Sequence, residues 1–266
     1  MSDIDNKETP AKSGAFAAHG IEHLSYSMVD MFRTDPAAWL LRYPMRFRSS
    51  TNANMARGLA AEEGIEKYLT DEFGCTIEEA IEAGIKRFNK DTVLVVDKGD
   101  RAKAIEQIPD YIKNGIEAMQ QFGRPVSTQN KLELDIGIDV PVIGFDDFEF
   151  ELDGQKLSVD LKTTGRMPSD ITDNHKRQGA LYQAMRPEHD IIFCYVTPKK
   201  WATYTLDKAE AIDLVAEFKI AAKRMETFLG LSNDPMELAS IFAPSYSSFY
   251  WSDPMMRAEA KRVFGV

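Results

Sequence analysis

The sequence predicts an α/β protein. Three observations lead to this: helical hydrophobic spacing up to about residue 122, strict alternation after Pro125, and a return to helical spacing between two later apolar strands. With 266 residues, 44% of them hydrophobic, the chain favours one large domain over two independent ones. The predicted order is helices, three strands, a helix, two strands and further helices.

The first part of the chain is predicted to be helical after a polar tail. Residues 1–20 contain no apolar signal segment and are predicted to be disordered. In the helical segment that follows, Ser27 is a candidate cap and Pro36 suits a helix start. Further helices are predicted at about 52–73, after the capping-box pair Thr76 and Glu79, and at about 101–122.

The second part of the chain is predicted to form the sheet. Three strands are expected at 131–140, 142–152 and 155–164, and the Asp-Gly turn between the last two indicates a hairpin. The remaining predicted elements are a helix at about 173–185, strands at 190–197 and 201–206, and a helix capped by Asp207 and Glu210 that extends to about Leu229.

Composition excludes several classes of protein. The net charge of −10 argues against a histone-like coat for nucleic acid, although local basic patches remain compatible with DNA binding. Apolar runs such as DIIFCYV are too short to span a bilayer. Only Cys75 and Cys194 occur, without a pairing pattern, so we expect a cytoplasmic protein, in the host cytoplasm if it is viral. The chain contains no recognisable nucleotide-binding loop.

The stretch KLSVDLKTTG contains a candidate catalytic pair. Alternate residues of a strand share a face, so Asp160 and Lys162 point one way. The apolar residues of the same strand point the other way, toward a core; they are Leu157, Val159 and Leu161. Asp147 lies on the strand joined to this one by the hairpin. Two acids and a lysine suit a hard divalent cation. The alternatives are a simple ion pair at 160 and 162, and an exposed acidic hairpin at 147.

The helix predicted after these strands carries polar residues on one side. His175, Gln178, Gly179 and Tyr182 share that side, and Gln178 and Tyr182 are neighbours because they are four residues apart. This pattern suits the wall of a site, and it equally suits an ordinary amphipathic helix with a buried tyrosine.

An earlier helix places an acid among apolar residues. Met55, Leu59 and Leu69 form a stripe at helical spacing, with Glu62 in its middle and Glu63 to one side. A carboxylate on a buried face is costly unless it is paired or bound to metal. Glu62 rather than Glu63 is therefore the predicted functional acid, and Glu66, one turn further along the same stripe, is its main competitor.

Together, these motifs resemble a known family. GLAAE (58–62), GFDD (144–147), DLKTT (160–164) and QGALY (178–182) are similar, in order, to the motifs of the RecB-like branch of PD-(D/E)XK nucleases, which includes phage exonucleases and the CRISPR-adaptation nuclease. Residues 24–43 resemble the N-terminal signature of this branch. The resemblance covers about residues 24–206. It implies a restriction-endonuclease-like core, with a mixed central sheet flanked by helices and an N-terminal helical elaboration.

The resemblance also implies an activity and the residues that carry it. The expected function is a DNA exonuclease that hydrolyses phosphodiester bonds with Mg²⁺ or Mn²⁺ in recombination, repair or phage DNA processing. A structure-specific endonuclease and a non-catalytic DNA-binding relative are the alternatives; the joint retention of Asp147, Asp160 and Lys162 argues against the second. The implied metal ligands are Glu62, Asp147, Asp160 and the carbonyl of Leu161. The implied catalytic residues are Asp147, Asp160, Lys162, Gln178 and Tyr182.

Partners and substrate contacts follow from the same resemblance. The expected substrate is DNA with a free end or a single strand, with a separate recombination or helicase protein as a further partner and no membrane. The residues assigned to nucleic-acid contact are Ser25, Ser27, Thr163, Thr164, His175, Lys176 and Arg177. Iron–sulfur members of the branch place a cysteine beside the proline that corresponds to Pro36; here Asp35 stands there, so no iron–sulfur cluster is expected.

The expected organisation is a single domain with four segments. They are a tail at 1–20, a helical part at 21–125 that contributes Glu62, a nuclease core at 126–230, and a helical, aromatic segment at 231–266 packed on the core. Within that last segment the aromatic run SYSSFYW is predicted to pack against the protein, in preference to stacking on the bases of a single strand.

Overall fold

A computed structural model of the chain describes residues 14–48, 51–95 and 98–265. The chain forms two compact units. The terminal unit comprises the described residues up to 47, residues 135–142 and those from 220 onward. The sheet unit comprises the described residues of 48–134 and 143–219.

The sheet unit is built on five strands: β1 (Ser127–Leu134), β2 (Val142–Leu152), β3 (Gln155–Thr163), β4 (Asp190–Val196) and β5 (Trp201–Thr205). They form one mixed sheet with the strand order β1-β2-β3-β4-β5. β2 pairs with β3 antiparallel, β3 with β4 parallel, and β4 with β5 antiparallel. An α/β fold with a mixed sheet flanked by helices is thus confirmed.

The β2–β3 hairpin has the predicted turn. Leu152 pairs with Gln155 across the two-residue loop, in which Asp153 and Gly154 have φ angles of 51° and 79°. Positive φ at both central positions gives a turn whose twist matches the strands it joins. The hairpin fixes the register that brings Asp160 back towards Asp147.

The first predicted strand was displaced. A strand at 131–140 was expected, but β1 begins at Ser127 and ends at Leu134. Beyond it, the Asp135 carboxylate accepts a hydrogen bond from the Gly137 N–H at 2.8 Å, and Gly137 has a φ of +80°. This local turn competes with the strand ladder for the same backbone groups.

Three helices cover one face of the sheet: α4 (Ala53–Thr70), α5 (Ile77–Asp91) and α6 (Lys98–Gln120). They bury a core with Phe148, Phe150, Val159 and Cys194 of the strands. A Cβ on Gly64 would lie 2.7 Å from a backbone carbonyl of α5, so glycine allows α4 and α5 to cross closely. The predicted capping box of Thr76 and Glu79 is confirmed at the start of α5.

The other face of the sheet packs against α7 (Asp173–Met185), which has the predicted bounds, and against the first part of α8 (Lys208–Leu229). A Cβ on Gly179 would lie 2.7 Å from the Phe193 ring, so the glycine lets α7 approach β4 closely. This approach sets the height of α7 above β3 and β4.

The terminal unit contains α1 (Ala15–Ala18), α2 (Tyr26–Thr34), α3 (Pro36–Arg42), α9 (Pro235–Ala239), a 3₁₀ turn (Phe249–Trp251) and α10 (Pro254–Phe264). Most of the predicted tail, residues 1–13, lies outside the described residues. Residues 14–20 are not a tail, because they include α1 and the buried Phe16. Ser25, not Ser27, caps α2 by accepting the Met28 N–H, whereas Pro36 begins α3 as predicted.

The aromatic run of the terminal unit packs inward at Trp251. Its side chain is fully buried, and its indole N–H donates to Asp35 Oδ2 at 2.6 Å. Asp35 Oδ1 accepts the Ala38 N–H at 3.0 Å, so one buried carboxylate caps α3 and also holds the 3₁₀ turn. Phe249 is largely exposed. None of the helices among the described residues is long and apolar enough to cross a bilayer.

Candidate active site

Asp160 and Lys162 form the buried centre of the candidate site. Their side chains lie on one face of β3, with Lys162 Nζ 2.5 Å from Asp160 Oδ2, while Val159 and Leu161 enter the core on the opposite face as predicted. Asp160 Oδ1 is buried and has no hydrogen-bond partner among the described residues. An unpartnered buried carboxylate oxygen is costly unless a donor or a cation satisfies it.

Asp147 lies beside this pair. Its Oδ2 accepts the Leu161 N–H at 2.8 Å. Burial raises the pKa of Asp147 well above its ordinary value, and the negative charges of Asp160 and Glu62 raise it further, against the opposing charge of Lys162. The three carboxyl groups therefore act on one another electrostatically.

Glu62 reaches the site from α4. Its Oε1 accepts a hydrogen bond from Gln129 Nε2 at 2.6 Å. Burial raises the pKa of Glu62, the charge of Asp160 raises it further, and Lys162 lowers it. Glu63, by contrast, is exposed and pairs with Arg87 at 3.3 Å. Glu62, not Glu63, shares the electrostatic environment of Asp160.

The helical stripe used to select Glu62 was wrong, however. Met55 and Leu59 are 53% and 43% exposed, so their side of α4 faces outward. The buried face consists mainly of small residues because α5 crosses so closely, and it comprises Ala53, Ala56, Ala60, Ala61, Gly64, Ile65 and Leu69. Glu62 lies at the border between the two faces and is half-buried.

Lys162 is the cation within this group of acids. Burial lowers its pKa, but Asp160 and Asp147 more than reverse this and raise the pKa above its ordinary value. The lysine is therefore charged at neutral pH. Over the described ranges, no three His, Cys, Asp or Glu side chains are arranged as a complete metal-ligand set.

The predicted wall on α7 is present. Gln178 Nε2 donates to the Tyr182 hydroxyl at 2.8 Å, as their spacing indicated. Burial raises the pKa of Tyr182, and the charges of Asp160 and Asp147 add to this effect. A Cβ on Gly144 would lie 2.8 Å from the Tyr182 ring, so glycine at the start of GFDD makes room for the tyrosine.

The residues assigned to nucleic-acid contact are scattered. Ser25 and Ser27 belong to the terminal unit and hydrogen-bond to each other at 3.1 Å. On α7, Lys176 pairs with Glu210 at 3.1 Å, and Arg177 Nε lies 3.7 Å from a carboxylate of α8. These two cations are thus already engaged with acids, and their assigned role stays a prediction.

The other three residues assigned to nucleic-acid contact in the sheet unit are Thr163, Thr164 and His175. A Cβ on Gly58 would lie 3.1 Å from Thr163 Oγ1, so α4 passes close to the end of β3. The Thr164 carbonyl accepts a hydrogen bond from the Tyr111 hydroxyl at 2.9 Å. His175 stacks on Phe193, with ring centroids 5.8 Å apart. Their contact with nucleic acid likewise stays a prediction.

A buried ion-pair network behind the site was not predicted. Asp146 Oδ2 lies 3.1 Å from Arg186 Nε, and Arg186 Nη1 lies 3.1 Å from Glu149. Strict alternation would place Asp146 and Glu149 on opposite faces of β2, yet both meet the same guanidinium. The strand is therefore irregular at residues 146–148, in the way that a β-bulge turns a side chain to the other face of the sheet. The acidic doublet in GFDD is the only sequence signal of this irregularity.

Gln129 was also missed. It has a φ of +53° within β1, an uncommon conformation for a non-glycine residue, and its amide holds Glu62. Backbone strain of this kind is found at functional sites, but nothing in the local sequence distinguishes Gln129 from any exposed glutamine.

No family model matches this chain, and no curated protein matches it. A solved structure described as the crystal structure of SSO0001 is similar at 17% sequence identity, with 62% of this chain and 86% of that chain covered and a TM-score of 0.33.

Proposed function

We propose that this protein is a divalent-metal-dependent DNA exonuclease of the RecB-like PD-(D/E)XK type, with a restriction-endonuclease-like core in the sheet unit. The observation that carries the proposal is the buried Asp160–Lys162 pair, with Asp147 held on the adjacent Leu161 N–H and with an Asp160 oxygen that has no partner among the described residues; Glu62 acts on the same groups electrostatically. A group of acids with raised pKa values around a buried lysine is costly for folding, and such arrangements cluster at functional sites.

The side chains present fit a hard divalent cation. Carboxylate and carbonyl oxygens are the ligands that Mg²⁺ and Mn²⁺ prefer, and Asp160 Oδ1 is a buried oxygen with no other partner among the described residues. Glu62, Asp147, Asp160 and the carbonyl of Leu161 would hold the ion. When bound, the ion supplies Lewis-acid stabilisation of charge on phosphoryl oxygens and lowers the pKa of water.

The chain's own groups would then orient the reactants. Lys162 Nζ, once Asp160 turns to the cation, can donate hydrogen bonds to the attacking water and to a phosphate oxygen. Gln178 and Tyr182 would fix the position of the strand beside them, because each already limits the rotation of the other. Asp147 is held by the Leu161 N–H, which fixes the position of its carboxyl group beside β3.

The test is cleavage of end-labelled linear and closed circular DNA in the presence of Mg²⁺ or Mn²⁺. We expect degradation of the linear DNA only, and we expect Asp160→Asn and Lys162→Gln each to slow it about a hundredfold or more, since several kcal/mol of charge stabilisation is removed. The matched control is Asp153→Asn, a carboxylate at the exposed tip of the same hairpin, which should leave the rate unchanged.

Each other outcome selects a different function. Nicking of circular DNA would indicate the endonuclease. Binding of DNA by the wild-type protein without cleavage under any metal would identify a non-catalytic relative. Cleavage by folded Asp160→Asn at the wild-type rate would refute the assignment of the site.

A further inference from the structure

His175 belongs to a small aromatic group beside the catalytic pair. The parallel register of β3 and β4 places Asp160 opposite Phe193 and Lys162 opposite Tyr195. His175 lies over both aromatic rings, stacked on Phe193 at an interplanar angle of 15° and 5.5 Å from the centroid of Tyr195. Lys162 Nζ lies 5.9 Å from the Phe193 ring centroid. The imidazole is thus packed next to the candidate site and is not one of its proposed metal ligands.

The hydrogen bonds of this group determine which imidazole nitrogen carries the proton. His175 Nδ1 lies 2.6 Å from the Tyr195 hydroxyl, and the Thr172 N–H donates to the same hydroxyl at 3.2 Å. Tyr195 is buried, so its own hydroxyl proton requires an acceptor. His175 Nδ1, at 2.6 Å, is an acceptor for it, whereas the Thr172 side chain, which also interacts with this hydroxyl, already accepts the His175 backbone N–H.

The opposite tautomer would leave a buried donor with a poorer partner. If Nδ1 carried the proton, the Tyr195 oxygen would accept two hydrogen bonds, and its O–H could turn only to the Thr172 hydroxyl, which already accepts the His175 backbone N–H. A poorly satisfied buried donor is disfavoured. With Nδ1 as the acceptor, each proton of the chain Thr172 N–H, Tyr195 O–H and His175 is used once, and the remaining imidazole proton lies on Nε2.

The surroundings also keep the ring neutral. Burial lowers the pKa of His175 to about 4, and the positive charge of Lys162 acts in the same direction. In the described part of the chain, no hydrogen bond is made to Nε2, and the ring is only half-buried. An oriented N–H without a protein acceptor, next to a lysine, suits an anionic oxygen of a ligand.

We propose that Tyr195 is a positioning residue that locks His175 as a neutral Nε2–H donor, and that this donor binds a phosphate oxygen of the nucleic-acid strand. The second part of this proposal rests on the proposed nuclease function; the first part does not. The role assigned to His175 is that of a fixed dipole, distinct from the charge-based contact of Lys162. Neutrality allows it to lie close to the lysine without repulsion.

The tautomer is tested by long-range ¹H–¹⁵N spectra of protein labelled with [¹⁵N]histidine. The signals of His175 are assigned by their loss in His175→Gln. We expect the Nε2–H pattern in the wild-type protein and a mixture of tautomers in Tyr195→Phe, in which the hydroxyl is gone. A wild-type Nδ1–H pattern, or an unchanged Nε2–H pattern in folded Tyr195→Phe, would overturn the positioning role, whether or not the protein cuts DNA.

The substrate contact is tested by a matched pair of amide variants. Glutamine places its NH₂ group near the position of Nε2, whereas asparagine places it near Nδ1. We expect His175→Asn to raise KM for DNA about tenfold, as loss of a hydrogen bond to a charged oxygen implies, and His175→Gln to restore most of it. Equal KM values for the two variants and the wild type would refute the contact, while the spectra would still decide the tautomer. Absence of cleavage by the wild-type protein would instead refute the nuclease proposal.

Discussion

Replacement of Arg186 by methionine tests the ion-pair network behind the candidate site. Arg186 is 15% exposed, and it is the only cation paired with the buried Asp146 among the described residues. Its loss leaves Asp146 with a single hydrogen bond, from Ser158 at 3.2 Å. Glu149 is less affected, because Ser127 donates to it at 2.9 Å and other donors remain.

The expected cost follows from that difference. Removing one partner of a buried ion pair costs about 3–5 kcal/mol because the other charge is left uncompensated. Since Arg186 is partly exposed, we expect a value near the lower limit, about 3 kcal/mol. For a unit of this size, that corresponds to a fall of about 6–12 °C in melting temperature.

The assay is thermal unfolding of a double-mutant cycle. Arg186→Met should be strongly destabilising, and Arg186→Met combined with Asp146→Asn should recover most of the loss, since no buried charge is then stranded. Arg177→Met, within α7, is the matched control for Arg186 at the C-cap of that helix: its ion pair is more exposed and longer, so a change below about 1 kcal/mol is expected. A double variant as unstable as the single Arg186 variant would refute the reasoning.

The network also predicts a dependence of stability on pH. Burial alone would raise the pKa of Glu149, but hydrogen bonds from His189 and Ser127 and the charge of Arg186 bring it below its ordinary value. A carboxyl group with a lowered pKa in the folded state stabilises the fold above its unfolded pKa, and that contribution is lost as the pH falls through the folded value. The free energy of unfolding of the wild-type protein should therefore exceed that of Arg186→Met by less at acidic pH than at neutral pH.

Two further predictions concern α4 and the terminal unit. Glu62→Gln should lose most of the proposed nuclease activity at low metal concentration, because one of the proposed carboxylate ligands is removed, while Glu63→Gln should remain close to wild type. The reverse ranking in a metal titration of the cleavage rate would contradict the choice of Glu62. Trp251→Phe should lower the free energy of unfolding by about 1–3 kcal/mol, because it leaves one oxygen of the buried Asp35 without its donor; denaturant unfolding measures this, and a variant as stable as wild type would contradict the assignment.

The sequence by itself determined most of the elements and the relative placement of several residues of the candidate site. Alternation and turn chemistry were sufficient for β3, because Asp160 and Lys162 must share a face once the strand exists. The Asp-Gly turn then fixed the hairpin that returns β3 past Asp147. On α7, four-residue spacing was sufficient for the contact between Gln178 and Tyr182. These features depend on local geometry, which the order of residues specifies directly.

Only the tertiary structure decided which surfaces are buried. The large apolar side chains of Met55 and Leu59 indicated a core-facing stripe. The buried face of α4 consists instead mainly of alanines and glycine, because a close helix crossing requires small side chains rather than large apolar ones. The irregularity of β2, the guanidinium that satisfies Asp146 and the strained Gln129 that holds Glu62 likewise depend on partners distant in sequence. The hydrogen bond between His175 and Tyr195 likewise joins residues twenty positions apart on two different elements. Interactions of this kind follow from the packing of α7 on the sheet, and hydrophobic periodicity carries no information about them.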